Sequence, residues 1–284
     1  MTRIGPYELH AIETGTFALD GGAMFGIVPK PLWARAIPPD DKNRIPMHMR
    51  CLLLVGSSRV ILIDNGLGDK HNAKFASIYA VDQTTYNLEQ SLARTGVHPQ
   101  DVTDLILTHL HFDHCGGTTR RVGERLEMVF PEATIHVQRD HWAWAATSNV
   151  REQASFLTDN LDPIAASGQL NLLDGPTTLF DGVTVEPMHG HTKGQQVVHI
   201  HDDSQRLVYV ADLLPTHAHL RPAWNMAYDL WPMTTITEKA AFLKRAVEGN
   251  WSLFFEHDAT VEVAEVKATA RGIITHGHRT LADG

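Results

Sequence analysis

Seven residues constrain this chain more than any others: Thr-His-Leu-His-Phe-Asp-His at 108–114. They follow directly on the apolar, strand-like run Leu105–Leu107. His109 and His111 are two apart, so in extended backbone both rings point to one side. Asp113 and His114 come next as the chain turns, and Gly116-Gly117 lets that turn be tight. Four side chains able to bind metal thus leave one strand end together. Buried there without a metal, each would need its own hydrogen-bond partner. The segment therefore predicts a metal centre. Imidazole and carboxylate suit zinc first, and admit iron, manganese or cobalt.

Short apolar, β-branched runs recur around it: Cys51–Val55, Val60–Ile63, Thr134–Val137, Val183–Glu186, Val197–Ile200 and Leu207–Val210. Most have Gly, Asp, Asn or Pro close by, as strands do. Tyr86–Arg94 places Leu88 and Leu92 at helical spacing, and Glu238–Val247 does so with Ala241, Phe242, Leu243 and Ala246. Strands mixed with helices predict an α/β fold in which two packed sheets carry helices on their outer faces. The 284 residues show no repeat or long linker, so one domain over 1–284 is expected. Two stretches read as long loops. Ala23–Pro46 carries Met24, Phe25, Val28 and Trp33; Leu214–Thr234 carries Trp224, Met226, Tyr228, Trp231 and Met233. Such apolar loops either cap the core or wall a binding site. If exposed, they would also suit a homodimer.

Charge narrows the partners. The formal charge is −9, with Lys and Arg scattered, which disfavours nucleic acid. No apolar run approaches the roughly 20 residues of a membrane helix, so no membrane partner is expected. The only cysteines are Cys51 and Cys115, too few for a disulfide framework or thiolate zinc cluster. That sparse usage, with no apolar leader-like stretch at the N-terminus, predicts a cytoplasmic location. Cys115 reads as a small buried hydrophobe.

The 108–114 segment resembles the H-x-H-x-D-H motif of the metallo-β-lactamase superfamily. Further motifs follow in that superfamily's order. Asp64-Asn65-Gly66 resembles its strand-ending Asp-x-Gly turn, and Gly190-His191-Thr192-Lys193-Gly194 its G-H-T-x-G turn. Tyr209-Val210-Ala211-Asp212 resembles the strand before a bridging aspartate. Phe254-Phe255-Glu256-His257 resembles the last strand, which ends in a histidine ligand. The resemblance implies the αββα sandwich and two divalent metal ions. His109, His111 and His191 would hold one ion and Asp113, His114 and His257 the other, with Asp212 and a hydroxide bridging both. Asp64 would orient a ligand from behind.

Within the superfamily the chain resembles quorum-quenching lactonases of the YtnP type. The matching stretches are 19–26, 215–219 and 226–229 beside the histidine segment. The resemblance implies opening of N-acyl homoserine lactone rings by a metal-bridging hydroxide, with Asp113 passing a proton to the leaving oxygen. One departure stands out. The better-known lactonases carry a tyrosine three residues after the bridging aspartate, where this chain has Pro215. Tyr228 is the substitute hydroxyl. An aryl esterase or organophosphate hydrolase would use the same metals with a different pocket. A diiron redox protein would have glutamate where His111 stands, and a non-catalytic metal-binding module would need a closed ligand shell.

Other histidines share the i, i+2 spacing. His189 lies outside the G-H-T turn, so His191 is preferred to it. His199 and His201 read as a solvated strand face. His217 and His219 are candidates for the pocket. His276 and His278 read as loose, exposed chain near the terminus.

Overall fold

The computed structural model describes residues 2–147 and 149–283. The first of two seven-stranded sheets begins with β1 (Arg3–Ile4), β2 (Tyr7–Asp20), β3 (Arg44–Val55), β4 (Val60–Ile63) and β5 (Asp104–Ile106). A separate hairpin, β6 (Thr119–Val122) and β7 (Arg125–Met128), precedes its last strands, β8 (Thr134–Gln138) and β9 (Leu170–Leu173). The second sheet runs through β10 (Thr177–Phe180), β11 (Val183–Met188), β12 (Gln195–His201) and β13 (Arg206–Tyr209). It ends with β14 (Ser252–Phe254), β15 (Val263–Thr269) and β16 (Gly272–Arg279).

Alternation along the strands builds the layers. In β3, Leu52 and Leu54 face the second sheet, against Val198, Ile200 and Tyr209. Cys51 and Leu53 point the other way, toward the helix over Leu88–Arg94 and toward Ile164. The second sheet is covered by the helix Pro232–Glu248, whose Phe242, Leu243 and Ala246 pack on Val197, Val208 and Val210. Burying Phe242 and Leu243 contributes about 1.5–3 kcal/mol each. Pro232 opens that helix, where a missing N–H costs nothing. Asn87 caps the other, its Oδ1 accepting from Gln90 N at 3.0 Å. This is the αββα sandwich the motifs imply.

Some expectations need correction. Ala23–Pro46 is not one structureless loop. It holds two short helical turns, Gly21–Phe25 and Lys30–Trp33, and the start of β3. Phe25 and Trp33 stack at 5.3 Å and are buried with Met24, Val28 and Ile37, so these apolar side chains cap the core while Ile27 and Leu32 stay exposed. In Leu214–Thr234 a short turn spans His217–Leu220, and the long helix has begun by Pro232. His199 is not on a solvated face. It is buried, bonds Glu186 at 3.2 Å, and meets the Trp251 ring edge-on at 5.3 Å. The long helix covers the face that alternation alone would leave in water. His276 and His278 lie in β16, which pairs antiparallel with β15, and only His278 of the two is exposed.

Candidate metal centre

Each of the seven expected ligands follows the carboxyl end of a strand. His109 and His111 follow β5, and the helical turn Phe112–Cys115 carries Asp113 and His114. His191 lies in the turn after β11, Asp212 just beyond β13, and His257 beyond β14. Two local features deliver them. Ala211 has φ +44°, a conformation costly for a residue with a Cβ, and it aims the next residue, Asp212, out of the strand line. Gly116 is needed for space rather than for handedness. Its φ is −62°, and a Cβ there would meet Leu67 O at 2.1 Å.

The side chains converge in two adjoining buried groups: His109, His111, His191 and Asp212, then Asp113, His114 and His257. His109 Nε2 faces His111 Nδ1 at 3.0 Å, and His191 Nε2 lies 3.3 Å from the same Nδ1. In the second group His114 Nε2 and His257 Nε2 face each other at 3.1 Å. Asp212 joins them. Its Oδ2 is 3.2 Å from His191 Nε2, and its Oδ1 is 3.3 Å from His257 Nε2. That Oδ1 is buried and, though close to His257, has no aligned hydrogen bond.

The far side of each ring explains what these near nitrogens are for. His111 Nε2 pairs with Glu152 Oε1 at 2.9 Å, and His191 Nδ1 with Asp229 Oδ1 at 3.0 Å. His114 Nδ1 pairs with Asp64 Oδ2 at 3.0 Å, and His257 Nδ1 with His48 O at 2.9 Å. His109 Nδ1 meets Thr108 Oγ1 at 3.1 Å, and that hydroxyl donates to Asp64 at 2.6 Å. A neutral imidazole has one N–H. Given to the acceptor behind, it leaves a lone pair in front. Five lone pairs about 3 Å apart, beside an orphaned carboxylate oxygen, are a repulsive arrangement that cations relieve. The residues fit divalent metal.

Charge points to a cation by another route. Against the cost of burial, the carboxylates raise His114, His191 and His257, so the site draws positive charge, as protons on these rings or as metal ions in their place. Burial drives His109 well below the usual histidine range, and the neighbouring His114 and His111 add to it, so this ring is neutral. Burial also opposes charge on His257, but the Asp212 and Glu256 carboxylates outweigh it and lift the group to about 9. Asp64 is pushed up to about 7 by burial and by Glu256. Glu256 Oε2 lies 3.0 Å from His114 Nδ1 but without hydrogen-bond alignment, so Asp64 is that ring's true partner.

A cavity of about 300 Å³ opens onto the cluster. His111, Asp113, His191, Asp212 and His257 form its floor, and Leu19, Met24, Met47, Phe112, Met226 and Leu230 much of its wall. Tyr79, Arg151, Glu152, Ser155 and Tyr228 add further polar groups to the lining.

The family model described as the metallo-beta-lactamase superfamily matches residues 50–257. The chain belongs to that superfamily. It is 26% identical over 176 residues to an N-acyl homoserine lactonase of Bacillus cereus, covering 58% of this chain and 63% of that enzyme. The match thus spans less than two thirds of that relative's length. A probable metal-dependent hydrolase from Staphylococcus aureus superposes with a TM-score of 0.89 at 27% identity, over 98% of this chain and all of that one. AidC, a dizinc quorum-quenching lactonase in complex with a product, superposes at 0.81 with 23% identity, over 98% of this chain and 96% of that one.

The superfamily's five motifs are thus drawn into one place, and Asp64 sits behind His114 as expected. His189 stays outside, its Nδ1 accepting from Gly194 N at 3.2 Å. His217 and His219 do not line the pocket. His219 is buried, bonded to Met24 O at 2.8 Å and stacked on Phe25; His217 pairs with Asp258 at 2.5 Å. Cys115 is buried beside Leu110 O. Sequence reasoning missed Glu152, Asp229, Tyr79 and Arg151. Asp229 stood inside the quoted 226–229 stretch and Glu256 beside His257, but neither had a stated role. Glu152, 41 positions from His111, had no local signal at all.

Proposed function

We propose that this chain is a hydrolase of two divalent metal ions, zinc first among them, that opens lactone rings such as those of N-acyl homoserine lactones. One observation carries the reading: the doubled, lone-pair-lined cluster is the floor of an open, mostly apolar cavity rather than a closed shell. His109, His111 and His191 would hold one ion, Asp113, His114 and His257 the other, and Asp212 would serve both. Cations bound there would supply the Lewis acidity for ionising water near neutral pH and polarising a carbonyl.

The chain's own residues do the rest. Asp113, of the second group, also lines the cavity and carries the proton to the departing alkoxide. Burial, then Tyr79 and nearby carboxylates, push Tyr228 up to about 12, so it stays a neutral donor to a substrate oxygen. The methionine, leucine and Phe112 wall excludes water and accepts an acyl chain. The Bacillus lactonase supports the substrate class.

The test is hydrolysis of N-acyl homoserine lactones of several chain lengths, with metal quantified in the same sample. Ring opening that vanishes on chelation and returns with added metal is expected. Asp113→Asn should lose turnover, in part by weakening a metal ligand; both metals retained with full turnover would remove its proton role. A second reading, an aryl esterase or phosphotriesterase, draws on Phe112 and Tyr79 in the cavity lining, backed by Phe75, with ring centroids 4.5–5.5 Å apart. It prevails if metal is bound and aryl esters or phosphotriesters turn over while lactones survive.

A further inference from the structure

We propose that Arg151 reads the amide carbonyl of an N-acyl lactone, and so ranks amide-bearing lactones above plain alkyl lactones. This rests on the lactonase reading and adds the substrate feature that the cavity selects.

The segment after the helix Arg139–Ala146 turns at Asn149, whose Oδ1 accepts from Arg151 N at 2.9 Å and whose O accepts from Glu152 N at 3.1 Å. Two adjacent side chains are thereby aimed at different parts of one cavity. Glu152 goes to the floor, where it bonds His111 and takes the Trp144 indole N–H at 2.6 Å. Arg151 also lines the cavity, and its guanidinium donates to Ala227 O, next to Tyr228.

That guanidinium is incompletely used. It has five N–H groups, and one hydrogen bond from it is present. Among the described residues no carboxylate lies within 4.0 Å of it, and the nearest in sequence, Glu152, is already committed. A cation left unneutralised beside an apolar wall favours a ligand that brings an acceptor oxygen. The floor fixes where the scissile carbonyl must lie. In an N-acyl lactone the amide branches from the carbon next to that carbonyl, so its oxygen falls between floor and wall. Arg151 is exposed, so water meets its free N–H groups until a ligand displaces it; lactones with an alkyl chain at the same carbon displace that water without replacing its hydrogen bonds. The bond to Ala227 O holds the arginine in place without consuming it.

The experiment compares kcat/KM of wild type, Arg151→Met and Arg151→Lys on N-hexanoyl homoserine lactone and α-hexyl-γ-butyrolactone. Loss of a hydrogen bond from a charged group predicts about a 10- to 100-fold fall for Arg151→Met on the amide lactone. The alkyl lactone should change by less than about twofold, being a substrate without that bond. Arg151→Lys, which keeps the charge but not the fork, should restore part of the ranking. Equal losses on both lactones would make Arg151 a mere tie to Ala227 and overturn the proposal, as would no loss on either. If wild type opens neither lactone, the lactonase reading fails separately. Calorimetry on the metal-loaded protein then decides about Arg151. Ring-opened N-hexanoyl homoserine should bind more weakly to Arg151→Met than to wild type, while 2-hexyl-4-hydroxybutyrate should not distinguish them; identical affinities for both acids would overturn it.

Discussion

His111 and His199 are both buried histidines, and each gives one nitrogen to a glutamate. His111 Nε2 meets Glu152 at 2.9 Å, and His199 Nε2 meets Glu186 at 3.2 Å. Both belong to i, i+2 histidine pairs on extended chain. What separates them is the other nitrogen. His111 Nδ1 faces two further imidazole nitrogens and opens on a cavity. His199 Nδ1 is buried with no hydrogen-bond partner, under the rings of Trp251 and Phe242. Burial and a carboxylate partner therefore do not mark a functional histidine. Convergence of several lone pairs at a wet surface does.

The largest effect should come from removing each ring. His111→Ala takes a ligand from the first metal group, and activity should fall by more than about 100-fold, since even partners behind ligands are worth 10- to 100-fold. Metal content of the purified variant should fall with it. His199→Ala should leave activity per folded molecule unchanged and cost about 1–3 kcal/mol of stability, because Glu186 loses a buried partner. Parallel assays and urea melts check both. Loss of activity in His199→Ala without loss of stability would erase the distinction.

The glutamates come next. Glu152→Gln keeps the shape but weakens the aim of His111, and metal affinity should fall about 10-fold or more by chelator competition. Glu186→Gln should not touch metal binding and should change how stability depends on pH. Burial works against the Glu186 charge, but the His199 bond and Arg245, at 2.7 Å, outweigh it and hold the group at about 2. Its folded value lies below the unfolded one, roughly 4.3. The stabilisation is therefore complete above that unfolded value and is lost as pH falls toward about 2. The Tm gap between wild type and Glu186→Gln should be constant near neutrality and close across that acid window. A gap that persists there would place the stabilisation elsewhere.

These pairs also show what could be read in the sequence. The strands from Cys51 to Val210, the helices near Leu88 and Phe242, and the His109–His114 cluster were legible, because hydrophobic alternation and close spacing are local; His191, Asp212 and His257 were singled out only by their resemblance to the superfamily's motifs. Of the partners behind the rings only Asp64, which stands in a motif of its own, was legible. Glu152 meets His111 across 41 residues, and Asp229 meets His191 across 38, so no spacing rule links them. The 14-residue β2 was missed because its register shifts between Glu13 and Thr16, which breaks the period of two. His199 was read as solvated because a strand alone does not announce the helix that covers it.

The smallest and sharpest test sits one bond further out. Trp144 Nε1 donates to Glu152 Oε2 at 2.6 Å, whereas Trp251 touches His199 only ring to ring, under Arg206 and Arg245 at 5.1 and 5.6 Å. Trp144→Phe removes one hydrogen bond to a glutamate that still holds His111. Metal affinity should fall by about 3- to 10-fold, the size of a single hydrogen bond. Trp251→Phe keeps a ring for both guanidinium groups and should cost on the order of 1 kcal/mol of stability with no change in metal affinity. If Trp144→Phe binds metal as wild type does while Glu152→Gln does not, the charge of Glu152 sets the His111 lone pair and its aim does not. The buried pairs at 111 and 199 would then differ in what faces the ring, and not in how firmly the ring is held.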